Sequence, residues 1–280
     1  MTQHANIRTP WARLATAAVL ALAVFAAPQA AFAAEEKDPW PELHRDVFGS
    51  KPMIEDGGVV TLEAPIRAED AALTPLTIRI PAEHAAEARK LTLMIDKNPS
   101  PVVAEITFGP AAGTGERMIS TRVRVDMYSN IRAVVETADG KMYMAVKFVK
   151  AAGGCSAPAL KDPDAILAEI GKMHVKAIPV TDAAAPMREG QLMIKHPQYS
   201  GLQTNQATGY WIPFKYITAL DVKRGGEVVF SMTGGISISE DPNIRFSYAP
   251  NTSGGDETIE VTATDTDGRI MKGASTAKGS

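Results

Sequence analysis

Residues 131–149 read IRAVVETADGKMYMAVKFV, with one strand-like run before Ala138-Asp139-Gly140 and one after it. An Asp-Gly pair between such runs is a strong sign of a β-hairpin, because the tight turn needs residues that tolerate a positive φ. Ile131–Thr137 and Lys141–Val149 are therefore predicted to be paired antiparallel strands.

The strand pattern continues on both sides of this hairpin. Before it, strands are predicted over 59–62, 75–80, 91–95, 102–108 and 119–128, after a short helix over 39–49. After it, strands are predicted over 192–196, 211–222, 227–232, 236–239, 244–248, 258–264 and 269–271. Many short strands separated by Gly and Pro turns indicate an all-β fold of two immunoglobulin-like β-sandwich domains.

Three segments follow the predicted leader. Residues 34–155 are predicted to form the first sandwich, which ends in a cysteine-bearing arm, and residues 188–280 the second. Residues 156–187 are predicted to be a linker with one short helix, because Asp162-Pro163 is a helix-start pattern and a proline- and alanine-rich run follows.

The predicted leader covers residues 1–33. Arg8 and Arg13 precede an apolar run, 14–27, and Ala31-Phe32-Ala33 matches a cleavage pattern. These features indicate export, with the bacterial periplasm as the destination and no membrane anchor after cleavage. An uncleaved N-terminal anchor is the alternative.

Cys155 is the only cysteine in 280 residues. An odd cysteine in an exported protein is buried and inert, paired with another molecule, or a working thiol. Gly153 and Gly154 precede it and Ser156 follows, which predicts a flexible arm around a reactive thiol. A small buried apolar residue is the other interpretation.

Other site classes have little support. The formal net charge is −3 and no basic cluster is present, so nucleic acid is not an expected partner. His44, His84, His174 and His196 are widely separated, and no metal-ligand spacing occurs. Nucleophile-elbow, P-loop and dinucleotide patterns are absent as well, so neither a catalytic site nor a cofactor is predicted.

The first unit resembles SoxY, the thiol-bearing subunit of a periplasmic sulfur-oxidation carrier pair. The matching residues are 97–101 (KNPSP), 108–110 (FGP), 120–125 (STRVRV), 139–140 (DG) and 153–155 (GGC). The second unit resembles SoxZ, the partner subunit. Its matching residues are 194–197 (IKHP), 200–201 (SG), 212–213 (IP), 235–239 (GISIS), 241–242 (DP) and 266–268 (TDG).

The resemblance implies two sandwiches that form a heterodimer in the family and are fused here. It also implies a non-catalytic carrier of sulfur intermediates, as in thiosulfate oxidation, with Cys155 as the covalent attachment point for successive partner enzymes. The family's arm is a free C-terminus with glycines on both sides of the cysteine. Here Ser156-Ala157-Pro158 follows and the chain continues, so the arm is tethered at both ends.

Fused chains of this kind resemble SoxYZ-like carriers associated with quinoprotein dehydrogenases of alcohol oxidation, which suggests such a system as the partner. An accessory docking module, in which Cys155 is incidental, is the alternative. An independent thiol oxidoreductase is disfavoured, because no second cysteine can resolve a mixed disulfide.

Overall fold

A computed structural model of the chain describes residues 37–49, 51–55, 57–158, 163–178, 186–251 and 257–277. The predicted leader, 1–33, and the predicted helix cap Asp162 lie outside these residues. Within the described ranges, no helix has both the length and the apolar character needed to cross a membrane.

Helices are few and short. They are α1 (Trp40–Phe48), α2 (Ala82–Ala85) and α3 (Pro163–Glu169). The strands before α3 are β1 (Met53–Glu55), β2 (Thr61–Glu63), β3 (Thr74–Ile80), β4 (Ala88–Ile95), β5 (Val102–Phe108), β6 (Arg117–Val123), β7 (Ser129–Thr137) and β8 (Met142–Val149). Those after it are β9 (Met173–Ile178), β10 (Arg188–Ile194), β11 (Ile217–Arg224), β12 (Glu227–Gly234), β13 (Asn243–Tyr248), β14 (Glu257–Asp265) and β15 (Ile270–Ala277). The predicted all-β sandwich class is confirmed.

The strands form two sheets, and each sheet combines strands from both halves of the chain. One sheet has the order β1-β8-β7-β4-β5-β12-β11-β14-β15, and the other has the order β2-β3-β6-β13-β10-β9. In both, the strands before α3 occupy one end and the strands after it occupy the other. The two sandwiches are therefore joined edge to edge.

The junction between the halves is made by strand pairing and by apolar packing. β5 pairs antiparallel with β12, with Phe108 opposite Phe230, and β6 pairs with β13, with Ile119 opposite Phe246. The Phe230 and Phe246 rings meet edge to face with centroids 5.4 Å apart, a favourable aromatic geometry. One hydrophobic core, with Leu91 on the β4 side, continues across this junction.

The predicted Asp-Gly hairpin is present between β7 and β8. The Thr137 hydroxyl donates to Asp139 Oδ1 at 2.6 Å, and Gly140 has a φ of 79°. β8 leads directly into the segment that carries Cys155.

Several segments differ from their predicted form. The predicted strand 119–128 ends at Val123, because the next main-chain donors bond to loops, Arg124 N to Ser237 O and Val125 N to Ala71 O. The predicted strand 211–222 begins only at Ile217, after the isolated bridges of Trp211 and Lys215.

The predicted strand 236–239 is a turn with one isolated bridge, because its serine hydroxyls bond across the junction instead of lying on a sheet face. Ser237 Oγ accepts from Asn98 Nδ2 at 2.9 Å, and Ser239 Oγ donates to Ala72 O at 2.7 Å. The predicted linker contains α3, and it also contains β9, which pairs with β10.

The predicted N-terminal helix is α1, and it covers part of the outer face of the larger sheet. Trp40 and Phe48 pack against a small cluster that includes Val134 and Met144. The Arg132 guanidinium lies 3.9 Å from the centre of the Trp40 ring. This cation–π contact joins the helix to the sheet.

Candidate functional site

Residues 153–156, called the Cys155 turn below, lie directly beyond β8. The chain that enters the turn is fixed by its main chain. Lys150 N donates to Ile66 O at 2.9 Å, and Ala68 N donates to Lys150 O at 3.1 Å. The turn therefore starts from a fixed point at the edge of the first half.

The loop after β6 holds three main-chain donors of the turn. Gly153 N donates to Asp126 O at 2.7 Å, and Gly154 N donates to Val125 O at 3.1 Å. Cys155 N donates to the Asp126 carboxylate at 3.2 Å. Since buried main-chain donors need partners, these bonds stabilise the turn against the first half.

The two glycines are required by this conformation. Gly153 has a φ of 75°, which side-chain-bearing residues rarely adopt. A Cβ atom on Gly154 would lie 2.2 Å from Ala71 O and 2.6 Å from Val125 O. The backbone at Gly154 thus sits against its neighbours more closely than any other residue type allows.

The second half holds the acceptors of the same segment. The Ser200 hydroxyl donates to Cys155 O in a short hydrogen bond, and Gln203 Nε2 donates to Ala157 O at 3.0 Å. Both residues lie in the long connection between β10 and β11. The Cys155 turn is therefore clamped from both halves.

A buried asparagine joins these contacts across the junction. Asn98 Nδ2 donates to Arg124 O at 2.7 Å and to Ser237 Oγ at 2.9 Å. Its Oδ1 accepts from Asp126 N at 2.9 Å. Asn98 thereby fixes the loop that carries both Arg124 and Asp126.

Arg124 lies beneath the turn and is 1% exposed. Its Nη1 donates to Gly154 O at 3.2 Å, and its Nη2 donates to Gln198 O at 3.4 Å. Burial lowers the pKa of its guanidinium, while the acidic groups of Cys155 and Glu240 act in the opposite direction. One cation thus binds a carbonyl from each half.

The Cys155 side chain is fully buried. Burial, reinforced by the Asp126 carboxylate, raises the pKa of the thiol to about 12, and Arg124 and Ser237 only partly oppose this. A thiol with that pKa is about 10⁻⁵ ionised at pH 7. Because the thiolate is the reactive form, Cys155 is chemically quiet in this conformation.

The predicted arm is present as a folded turn. Ser156 is exposed, with its hydroxyl 3.4 Å from Gly153 O, but Cys155 points inward and does not present its thiol to solvent. In this conformation Gly153 and Gly154 bring the backbone into the junction, and Cys155 is buried as in the alternative interpretation of a small apolar residue. The mobility of the arm and the attachment role of Cys155 stay predictions.

The histidines remain separate in the fold. His196 is buried, accepts from Gln198 N through Nδ1 at 3.1 Å, and has its Nε2 3.5 Å from Asp265 Oδ2. Burial lowers the pKa of His196 to about 4, so it is neutral and structural. Among the described residues, no three His, Cys, Asp or Glu side chains are grouped to hold a metal.

The residues that hydrogen-bond to the Cys155 turn, or that hold the loop bonding to it, were not identified as site residues from the sequence. Several do lie in the stretches that carry the family resemblance, which is the signal that could have found them. These residues are Asn98, Arg124, Ser200 and Ser237. Asp126 and Gln203 lie just outside those stretches.

This geometry defines a class of protein. It is a β-sandwich protein of two sheets, with one thiol at the junction of its two halves. The family described as "Sulfur oxidation protein SoxY" matches residues 44–155, and "Sulphur oxidation protein SoxZ" matches residues 178–276. The chain belongs to the SoxYZ-like family of sulfur-oxidation carriers, with both subunit types fused in one chain. The SoxY match ends at Cys155 itself.

Solved structures give further similarity. The sulfur carrier protein SoxY from Chlorobium limicola f thiosulfatophilum is 28% identical, with a TM-score of 0.32, over 40% of this chain and 91% of that one. Fibronectin(III)-like modules of CbhA from Clostridium thermocellum are 16% identical, with a TM-score of 0.23, over 78% of this chain and 93% of theirs. No curated protein matches the chain significantly in sequence.

Proposed function

We propose that the protein is a non-catalytic carrier that holds a sulfur-containing intermediate covalently on Cys155 and presents it to partner enzymes. The observation that carries this proposal is the position of Cys155. It is the only cysteine of the chain and the last residue of the SoxY match. A carrier with one thiol has one possible attachment point.

The proposal requires two conformations of the Cys155 turn. In the docked conformation described above, the thiol is buried and protonated. In the released one, the turn leaves the junction and the thiol regains an ordinary pKa near 8.5, which increases its thiolate fraction at pH 7 about 3 × 10³-fold. Cys155 follows the fixed Lys150 by five residues, so its reach is at most about 17 Å.

Loading by thiol–disulfide exchange needs no external oxidant. The released Cys155 thiolate attacks the carried sulfur of a donor, where that sulfur is bonded to a donor sulfur. A new S–S bond forms on Cys155, the donor S–S bond breaks, and the donor sulfur leaves as a thiolate. That thiolate takes up the proton that Cys155 released, so charge and atoms balance.

The docked conformation suits an exported protein. In an oxidising compartment an exposed low-pKa thiol is the group most readily oxidised. A buried thiol with a pKa of about 12 is protected while it carries no cargo. Residues 1–33 are proposed as the signal peptide, and the periplasm is the proposed location.

The partners follow from the family. Proteins of sulfur oxidation are the expected class, and for this fused form we propose association with a quinoprotein dehydrogenase system. The burial of Cys155 favours a second candidate function, an accessory docking module in which the thiol has only a structural role.

A Cys155→Ser substitution in the producing organism distinguishes the two. The carrier proposal expects oxidation of the sulfur substrate to fall at least about 10-fold, because no attachment point remains. Ser231→Ala, on β12 and outside the turn, is the matched control and should leave oxidation unchanged. Full activity of Cys155→Ser would reject the carrier and retain the docking module.

A further inference from the structure

The connection that holds the Cys155 turn also exposes aromatic side chains. Residues 199–216, called the aromatic hairpin below, double back through antiparallel bridges between Tyr199 and Lys215 and between Thr204 and Trp211. Tyr210, Trp211 and Phe214 are 77%, 69% and 61% exposed. A single exposed apolar side chain is ordinary, but a group of them on one loop is typical of an interaction surface.

The opposite side of the Cys155 turn has the same character. Met127 and Tyr128 directly follow Asp126, which binds the turn, and they are 47% and 46% exposed. Of the ten large apolar side chains exposed among the described residues, five thus belong to the two loops that clamp the turn. The exposed apolar side chains are therefore concentrated in the two loops that bind the Cys155 turn.

We propose that the aromatic hairpin, with Met127 and Tyr128, is the surface on which the partner enzyme docks. This inference rests on the proposed carrier function and gives it a docking site. The occupant is a folded protein with an apolar, uncharged face next to the cleft that receives the Cys155 turn. Tyr and Trp are the residues that most often dominate such interfaces.

The low charge of the aromatic hairpin indicates what kind of partner surface can bind it. Lys215 is the one charged residue of the hairpin sequence, and it is paired with Asp267. Association through this surface therefore depends on apolar burial and is expected to change little with salt. The salt dependence separates this docking mode from one that pairs charged surfaces.

The same hairpin links docking to release of the thiol. Ser200 and Gln203, in the segment before its turn, bind the carbonyls of Cys155 and Ala157. A partner that displaces the hairpin removes both bonds from the turn. Docking and exposure of Cys155 are then one event, and the thiol is released only where an acceptor is present.

The test uses the full chain in its own producing organism. Trp211→Ser removes an exposed aromatic, and Ile270→Ser is the matched control, since Ile270 is 63% exposed on β15, the far edge of the larger sheet. The fraction of Cys155 that carries an adduct, from intact-mass spectrometry, should fall at least about 10-fold in Trp211→Ser only, the loss of one interface hot spot. Equal loading in the two variants would overturn the docking surface.

A second readout covers the case in which wild-type protein carries no adduct. A photocrosslinking residue is placed at position 211 or, as control, at position 270. A single identified protein that crosslinks only from position 211, and binds the purified chain with a Kd that changes less than about threefold between low and high salt, supports the docking surface. In that case the missing adduct counts against the carrier proposal, while the docking surface is retained. Crosslinks to lipid, to a second copy of this chain, or equally from both positions would overturn the docking surface.

Discussion

Arg132 and Arg124 are both buried in the first half of the chain, but they are held differently. Arg132 makes a bidentate contact with the buried Asp96, with Nε and Nη2 each 2.8 Å from a carboxylate oxygen, and it also lies over Trp40. Arg124 donates to two main-chain carbonyls at 3.2 and 3.4 Å, and its Nε has no hydrogen-bond partner among the described residues.

The difference shows what each buried charge does. The Arg132–Asp96 pair is complete within the first half and fixes its sheet beneath α1. Arg124 binds Gly154 of the Cys155 turn and Gln198 of the second half through longer bonds. Such longer bonds hold the turn but can be broken at a modest cost in free energy. We therefore expect Arg132 to determine the stability of the fold and Arg124 to determine the exposure of the thiol.

The largest effect is expected from Arg132→Met. It leaves the Asp96 carboxylate buried without its partner, which typically costs about 3–5 kcal/mol. Urea unfolding measures the loss. Arg245→Met is the control, because Arg245 pairs with Glu189 at the surface and such pairs contribute at most about 1 kcal/mol. Equal losses in the two variants would remove the distinction between buried and exposed pairs.

Arg124→Met should affect the thiol more than the fold. It removes the bonds to Gly154 O and Gln198 O and a costly buried charge together, so the free energy of unfolding should change by less than about 2 kcal/mol. Loss of about 1.4 kcal/mol from the docked turn raises the alkylation rate of Cys155 by iodoacetamide about 10-fold.

The control for this variant is Arg122→Met, two residues earlier. The Arg122 side chain donates to Asp241 O, outside the turn, so its loss should leave the alkylation rate unchanged. A faster alkylation of Cys155 in Arg132→Met than in Arg124→Met under native conditions would contradict the separate roles given to the two arginines.

Ser200→Ala should give the smallest effect. It removes the hydrogen bond to Cys155 O and the one that the hydroxyl accepts from Leu202 N. The bond to Cys155 contributes about 0.5–1.5 kcal/mol, so alkylation should become about twofold to 13-fold faster. Stability should change by about 1 kcal/mol. Gln206→Ala is the matched control, since that exposed amide bonds the nearby Thr204 O. An unchanged rate in Ser200→Ala would mean that the second half does not hold the turn.

The sequence predicts the local features well. The Asp-Gly turn, α1 and most strands follow from turn chemistry and from alternation, which depend on residues close together in the chain. The paired edges of the two halves, β5 with β12 and β6 with β13, were not predicted. Alternation shows which face of a strand is buried, but not which distant strand will pair with its edge.

The sequence singled out Cys155 as the candidate attachment point, which stays a prediction, but it did not decide whether the thiol is exposed or buried. A lone cysteine after two glycines drew attention to Cys155, yet the same glycines suit a flexible arm and a tightly packed turn equally. In this conformation the close approach of Ala71 O and Val125 O to Gly154 shows that the glycines form a tightly packed turn. Those carbonyls come from loops far away in sequence, so no local pattern could reveal them.

The most direct test of the carrier account is the intact mass of the protein purified without reductant from its producing organism during sulfur oxidation. The account predicts a fraction with added mass of one or more sulfur atoms or of a sulfonate, mapped to Cys155 by peptide analysis and removed by a thiol reductant. A single unmodified mass under those conditions, with Cys155 still buried and unreactive, would contradict it.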